Sequence, residues 1–283
     1  MNFFDGRFGF LIVGNQDGIT RRRALTKLLV SVRSAQEAEL VRCHRIGILD
    51  VKEPDRGGLG ASDRDTLKQI ADVVNKSKRE FDLSFSAGEL TQWHPHWAGA
   101  NFGTGLVPTR RSLPQYYGLE LLSQYQFVKL GLAGVATSAP VLDWRSAWRE
   151  LFADLPESIR TVAVSYLDFR DCDAPSPSMV LQLAADMKNC DVVLFDTFHK
   201  SGNLFSHVSI NKLTELVKCA HRLGLTPVVA GSVSLSCLSD VVSSSPGFVG
   251  IRGAVCRGGR VGEISAQLVE EFVMELNQAV LIK

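Results

Sequence analysis

The chain has 283 residues, 45% of them hydrophobic and 22% charged, and 31 basic against 30 acidic residues leave a net charge of +1. That balance provides no electrostatic footprint for nucleic acid or an anionic membrane surface, and no apolar run approaches the roughly 20 residues that span a bilayer. The six cysteines, Cys43, Cys172, Cys190, Cys219, Cys237 and Cys256, form no C-x-x-C pair. This spacing argues against a structural metal site or a disulfide framework and favours reduced thiols in a cytoplasmic protein.

Residues 1–25 read as a poorly ordered N-terminal extension ahead of a single domain over 26–283. The stretch "TRRRALTKLLVSVRSA" (20–35) has the look of a twin-arginine export signal, but its apolar part, Leu28 to Val32, is cut short by Arg33. From there, short β-branched runs alternate with longer amphipathic ones. Strands are predicted at 27–33, 47–53, 82–88, 127–132, 160–166, 191–197, 226–232 and 248–254. Helical patterns such as "SAQEAELVRCHR" and "INKLTELVKCAHRLG" fill the intervals. Eight strand–helix units predict an α/β fold, a (β/α)8 TIM barrel in one domain. The competitor, a doubly wound open sheet, lacks the G-x-G-x-x-G that would follow its first strand. The interval from 89 to 115 is overlong for a connection and, on the C-terminal face of a barrel, is a candidate lid.

Within "ILDVKEPDRGGLGA" (48–61), Asp50 and Lys52 lie two apart and so share one face of their strand. The period-two rule applied to every strand places Ser31, Asp50 with Lys52, Ser84 with Ser86, Lys129, Ser165, Asp196, Gly231 and Arg252 at the interior end near the barrel mouth. Burying charge there is costly unless a site requires it. Lys52 and Lys129 would face each other, with Lys200 close to Asp196. Neighbouring cations and partial desolvation lower a lysine pKa toward neutrality, the requirement for an amine that attacks carbonyls. Asp50 and Asp196 could then move protons. The bland alternative is a pair of buried salt bridges, Lys52–Asp50 and Lys200–Asp196.

The turns after strands seven and eight, "AGSVS" (230–234) and "RGAVCRGGR" (252–260), suit backbone phosphate binding, with Arg252, Arg257 or Arg260 supplying charge. "PDRGGLGAS" could hold a second anion, or serve only as a turn into a helix capped by Ser62. Asp168, with Tyr166 and Arg170, is placed for substrate contact. His199 and Cys256 lie nearby without an assigned role. His94 and His96 form an H-x-H pair with Glu89 as the nearest carboxylate, too few ligands for a metal centre; neither metal nor cofactor is expected.

The motifs "DVKEPDRGGLGA", "VKLGL", "FDTFHKSGNLF", "VAGSV" and "VGIRGAVCRGGR", in this order from residue 27 to about 280, resemble the (5-formylfuran-3-yl)methyl phosphate synthase family of methanofuran biosynthesis. The resemblance implies a TIM barrel that joins two glyceraldehyde 3-phosphate molecules into a phosphorylated furan aldehyde. It also implies Lys52 as the Schiff-base residue, Asp50 as its acid–base neighbour, and Lys129, Asp196 and Lys200 completing the catalytic group. Phosphate would be held by Gly231–Ser232 and Arg252–Gly253, with Gly258 in the same glycine-rich turn. The partners implied are small phosphorylated aldehydes, with self-association left open. Glu53 departs from the Asn or Asp expected at its position. A class I aldolase with another phosphorylated product, or a phosphometabolite-binding barrel without turnover, are the alternatives.

Overall fold

Eight apolar runs become the staves of a closed parallel barrel in the computed structural model, which describes residues 10–13, 21–76, 80–94, 112–137 and 143–282. The barrel strands are β1 (Lys27–Val32), β2 (Ile48–Val51), β3 (Asp82–Glu89), β4 (Phe127–Gly131), β5 (Arg160–Tyr166), β6 (Cys190–Asp196), β7 (Thr226–Val229) and β8 (Phe248–Ile251). Each pairs with the next, and β8 closes on β1 with Phe248 opposite Lys27 and Ile251 opposite Val30. The arginine-flanked apolar segment that looks like part of an export signal is therefore strand β1. Within the extension, Phe10–Val13 pairs antiparallel with Arg21–Ala24. No helix among the described residues is long and apolar enough to cross a membrane.

The helices follow the strands: α1 (Ala35–Val41), α2 (Arg64–Val74), the short α3 (Leu113–Tyr117) and α4 (Leu119–Leu122), α5 (Trp144–Phe152), α6 (Pro177–Ala185), α7 (Ile210–Arg222), α8 (Leu235–Ser243) and α9 (Ala266–Leu281). Their buried faces keep helical spacing, as with Leu67, Ile70, Ala71 and Val74 of α2 or Leu213, Leu216, Val217 and Ala220 of α7. Asp63, not Ser62, caps α2 and accepts the Thr66 N–H at 2.9 Å. A carboxylate one residue nearer the helix competes better for that N–H, and Ser62 is left buried.

Alternation along the strands builds two apolar layers. Leu29, Ile48, Val162, Val164, Val192, Leu194, Val228 and Phe248 fill the barrel interior. Leu49, Val51, Phe85, Leu130, Val193 and Val249 face the helices. Tyr166 belongs to the interior set, so Ser165 points outward, opposite Phe195. The inward placement of Ser165 is thus corrected: on β5 the amphipathic tyrosine, not the serine, takes the interior position. The overlong interval is described only at its ends. Trp93 Nε1 donates to the Ala87 carbonyl at 2.7 Å, while residues 95–111, with His96 and the proposed lid, lie outside the described residues.

Arg252, just past β8, is tied back to the start of the barrel. Its Nε donates to Arg260 O (2.8 Å), Nη1 to Ser31 O (3.1 Å) and Glu37 Oε2 (2.8 Å), and Nη2 to Glu37 Oε1 (3.1 Å) and Gly262 O (3.3 Å). All five guanidinium hydrogens are thereby used, and both ions are buried. Removing one partner of a buried, bidentate pair strands the other charge. Glu37→Ala is expected to lower the unfolding free energy by about 3 kcal/mol or more in urea titration; a loss under about 1 kcal/mol, the worth of a surface pair, would contradict this.

Candidate active site

Strand register explains the centre of the site. Ser31 pairs opposite Asp50, and Asp50 opposite Ser84, so the aspartate lies between two hydroxyls on adjacent strands. Ser31 Oγ donates to Asp50 Oδ2 at 2.9 Å and Ser84 Oγ to Oδ1 at 2.5 Å. Lys129 Nζ reaches the same Oδ1 from β4, and both ions are buried. Burial alone opposes the charge. The ammonium groups of Lys129 and Lys52, with the Lys129 and Ser84 hydrogen bonds, nevertheless hold the Asp50 carboxyl below the usual carboxylate range.

A second carboxylate ends β6. Asp196 Oδ1 accepts from Lys200 Nζ at 2.7 Å and from the Thr197 N–H at 2.8 Å, and Lys200 also donates to Thr197 O. Here too burial opposes ionisation, and Lys200 and Lys52 prevail, keeping Asp196 ionised. Of the two salt bridges in the bland alternative, Lys200–Asp196 is present. The Lys52–Asp50 bridge of the same alternative is not, because Lys129 has taken the aspartate.

Lys52 therefore stands between two carboxylates with its amine in no hydrogen bond or ion pair among the described residues. Loss of hydration pushes its pKa down to about 7; Asp196 and Asp50 oppose the drop, and Lys200 and Lys129 add to it. An amine in that range is substantially uncharged at neutral pH and is nucleophilic. A cavity of about 380 Å³ opens over these groups, bounded by Ser31, Asp50, Lys52, Lys129, Asp196, Lys200 and Arg260, a size usual for small-molecule sites. A larger groove of about 690 Å³ lies at the opposite end of the barrel, near Thr26, His44 and Leu276, away from all of these groups.

The turns after β7 and β8 line the cavity with Gly231, Ser232, Val233, Gly253 and Ala254. None of the hydrogen bonds among the described residues uses their backbone N–H groups. Gly231 has φ +106°, and a side chain there would press on Thr197 beside Asp196. Gly258 makes a left-handed turn just outside the cavity wall, and its neighbour Gly259 reaches it. Of the three candidate arginines, Arg252 is spent on Glu37 and three backbone carbonyls, and Arg257 is exposed and does not line the cavity. Arg260, which also donates to Gly57 O, is the one left facing the cavity with donors to spare.

Asp168 does not face the cavity. Its buried carboxylate accepts the Phe198 and His199 N–H groups, both at 2.8 Å, and lies 3.2 Å from His199 Nδ1. In place of the substrate contact expected for it, both of its oxygens are engaged by the backbone that follows β6. Burial pushes the Cys256 thiol up, which makes it a poor nucleophile. No group of three or more His, Cys, Asp or Glu is placed to hold an ion among the described residues.

Sequence reasoning missed Glu89. At the end of β3 it accepts from the Tyr166 hydroxyl at 2.5 Å and from the Ala133 N–H at 2.9 Å. Its carboxylate fills the space that a side chain on Gly131 would occupy. Burial pushes the carboxyl up to about 7 despite both hydrogen bonds, and Asp196 adds to the rise. The available signal was Gly131, which follows Lys129 at the interior spacing and leaves a gap for a neighbour to fill.

A closed (β/α)8 barrel whose mouth gathers an unpaired lysine, two ionised aspartates and glycine-rich turns has the make-up of a barrel enzyme. Solved barrels share the fold. Phosphoribosyl anthranilate isomerase from Thermus thermophilus superposes with a TM-score of 0.53 at 13% identity, covering 89% of this chain and 99% of that one. The 3-hexulose-6-phosphate synthase of Salmonella typhimurium gives 0.54 at 14%, covering 89% and 100%. The chain belongs to the 4-HFC-P synthase family, whose model matches residues 28–273. Relatives named (5-formylfuran-3-yl)methyl phosphate synthase include one from Methanosarcina acetivorans, 29% identical over 250 residues (88% of this chain, 98% of the relative). Another, from Methanocaldococcus jannaschii, is 31% identical over 249 residues (87% and 97%).

Two measurements test the electrostatics. Labelling of Lys52 by an amine-reactive reagent, followed by peptide mass spectrometry, is expected to rise with pH around a midpoint near 7; a midpoint near that of surface lysines would contradict the unpaired, desolvated amine. Glu89 holds its proton more tightly folded than unfolded, so its stabilising effect is full below about pH 4.5 and is lost as pH rises through about 7. Glu89→Gln, which cannot ionise, is expected to gain on the wild type by about 3 kcal/mol between about pH 4.5 and pH 8. A stability difference that does not move with pH would show the carboxyl to be unperturbed.

Proposed function

We propose that this enzyme is a Schiff-base lyase that condenses two glyceraldehyde 3-phosphate molecules into (5-formylfuran-3-yl)methyl phosphate for methanofuran or an analogue. The observation that carries the reading is the Lys52 amine, which stands unpaired between two carboxylates while Lys129 and Lys200 are both engaged. Membership in the 4-HFC-P synthase family supports the same reading.

Lys52 attacks the carbonyl of one triose phosphate to give a carbinolamine, which loses water to form the imine. A carboxylate then removes the proton next to the imine carbon. Asp50 and Asp196 are both held ionised and suit that task as bases. The resulting enamine adds to the aldehyde of the second triose. Elimination of one phosphate, cyclisation, loss of water and release of the lysine complete an aromatic ring. In net terms two trioses yield one furan aldehyde phosphate, one phosphate and two waters. The free N–H groups at Gly231–Val233 and Gly253–Ala254 suit the phosphate that is kept. Arg260 and Lys200 provide charge for the one that leaves.

The test is incubation with glyceraldehyde 3-phosphate and borohydride, with the adduct located by mass spectrometry, alongside near-ultraviolet detection of the conjugated aldehyde. An adduct on Lys52 and a furan chromophore are expected. Lys52→Arg keeps the charge but cannot form the imine, so turnover should fall at least about a thousandfold. An adduct on another lysine, or an active Lys52→Arg variant, would overturn the mechanism; an adduct with a plain aldol product would point to an ordinary class I aldolase.

A further inference from the structure

Lys200 does not sit on a strand. β6 ends at Asp196, and the chain leaves the barrel through Thr197, Phe198 and His199 before the lysine turns back. A loop lysine with a long flexible stem loses most of its positional value unless the backbone beneath it is fixed. That backbone is held from the neighbouring strand. Asp168, two residues beyond Tyr166 of β5, accepts the consecutive N–H groups of Phe198 and His199 on its two oxygens, each at 2.8 Å. Its side chain is 0% exposed. The Phe198 ring meets Tyr166 edge-on, with centroids 5.5 Å apart, and Tyr166 is anchored in turn by Glu89. On the other side, a methyl group on Gly58 would lie 3.4 Å from Lys200 Cε, so the β2 turn closes over the stem.

We infer that Asp168 is a positioning residue for the reaction: by holding the amides of Phe198 and His199 it sets where Lys200, and through it Asp196, meets the reacting groups. The inference rests on the functional reading above, in which Lys200 acts during condensation. Both oxygens of Asp168 accept from backbone donors, so a carboxylate is needed. An asparagine would turn its own NH2 toward one of the two amides and set donor against donor. The His199 imidazole, 3.2 Å away and half exposed, is an accessory to this arrangement.

A double-mutant cycle between Asp168→Asn and Lys200→Ala separates positioning from general loss of structure. Asp168→Asn is expected to lower kcat for furan formation by about 10- to 100-fold. Borohydride trapping of a single triose on Lys52 should change by less than about threefold. In the Lys200→Ala background the same substitution should cost less than about twofold, because the group it positions is gone. An equal loss in both backgrounds, or a parallel loss of trapping at Lys52, would overturn the inference. If Asp168→Asn does not fold, hydrogen exchange on the unmodified chain still decides: the Phe198 and His199 amides should exchange as slowly as those of β6, and rapid exchange overturns the positioning role. A chain that makes no furan product at all fails the functional reading instead, and the exchange measurement then judges the backbone restraint alone.

Discussion

Asp50 can satisfy one buried ammonium group at close range, and it satisfies Lys129. Everything distinctive about the mouth follows from that choice. Two serines on the flanking strands complete the carboxylate's coordination, so the aspartate remains charged in a place that would otherwise neutralise it. Lys52, two residues farther along the same strand face, is left with neighbouring charges but no partner of its own. Its position near two carboxylates and two other ammonium groups makes the net field on it small, and dehydration decides its charge. A pairing of Lys52 with Asp50 would have produced an inert salt bridge from the same residues.

The rim of the barrel is held by carboxylates that belong to one strand and serve another. Glu37 on α1 binds Arg252 after β8, Glu89 on β3 binds Tyr166 of β5 and the turn after β4, and Asp168 after β5 binds the turn after β6. Short parallel strands end abruptly, and their departing turns would otherwise be the least constrained part of the fold. These cross-strand acceptors make the turns almost as fixed as the staves. These ties brace the mouth that the turns after β7 and β8 line.

This division of labour also explains how far the sequence could be read. Alternating periodicity carried the eight strands and the inward facing of Asp50, Lys52, Lys129 and Asp196, because period two is a local property of the backbone. It misled at Ser165, where polarity was a poor guide to facing and Tyr166 held the interior. Which cation pairs with which anion depends on strand register across the barrel, and nothing local fixes it; hence Lys129 rather than Lys52 on Asp50. Arg252 and Asp168 were legible as charged residues near the mouth. Their engagement with Glu37 and with the Phe198 and His199 amides is a matter of tertiary neighbours 215 and about 30 residues away.

Gly131 carries the longest consequence for its size. By having no side chain, it cedes its interior position on β4 to a carboxyl that arrives from β3. The two positions thus function as a single residue spread over two strands, one giving the room and the other the acid. Neither can drift alone: any atom added at 131 evicts Glu89 from its contact with Tyr166, and any shortening at 89 opens a void over Gly131. A barrel usually tolerates change strand by strand. Here three neighbouring staves are joined at one point, and a change in any of them is felt by the other two.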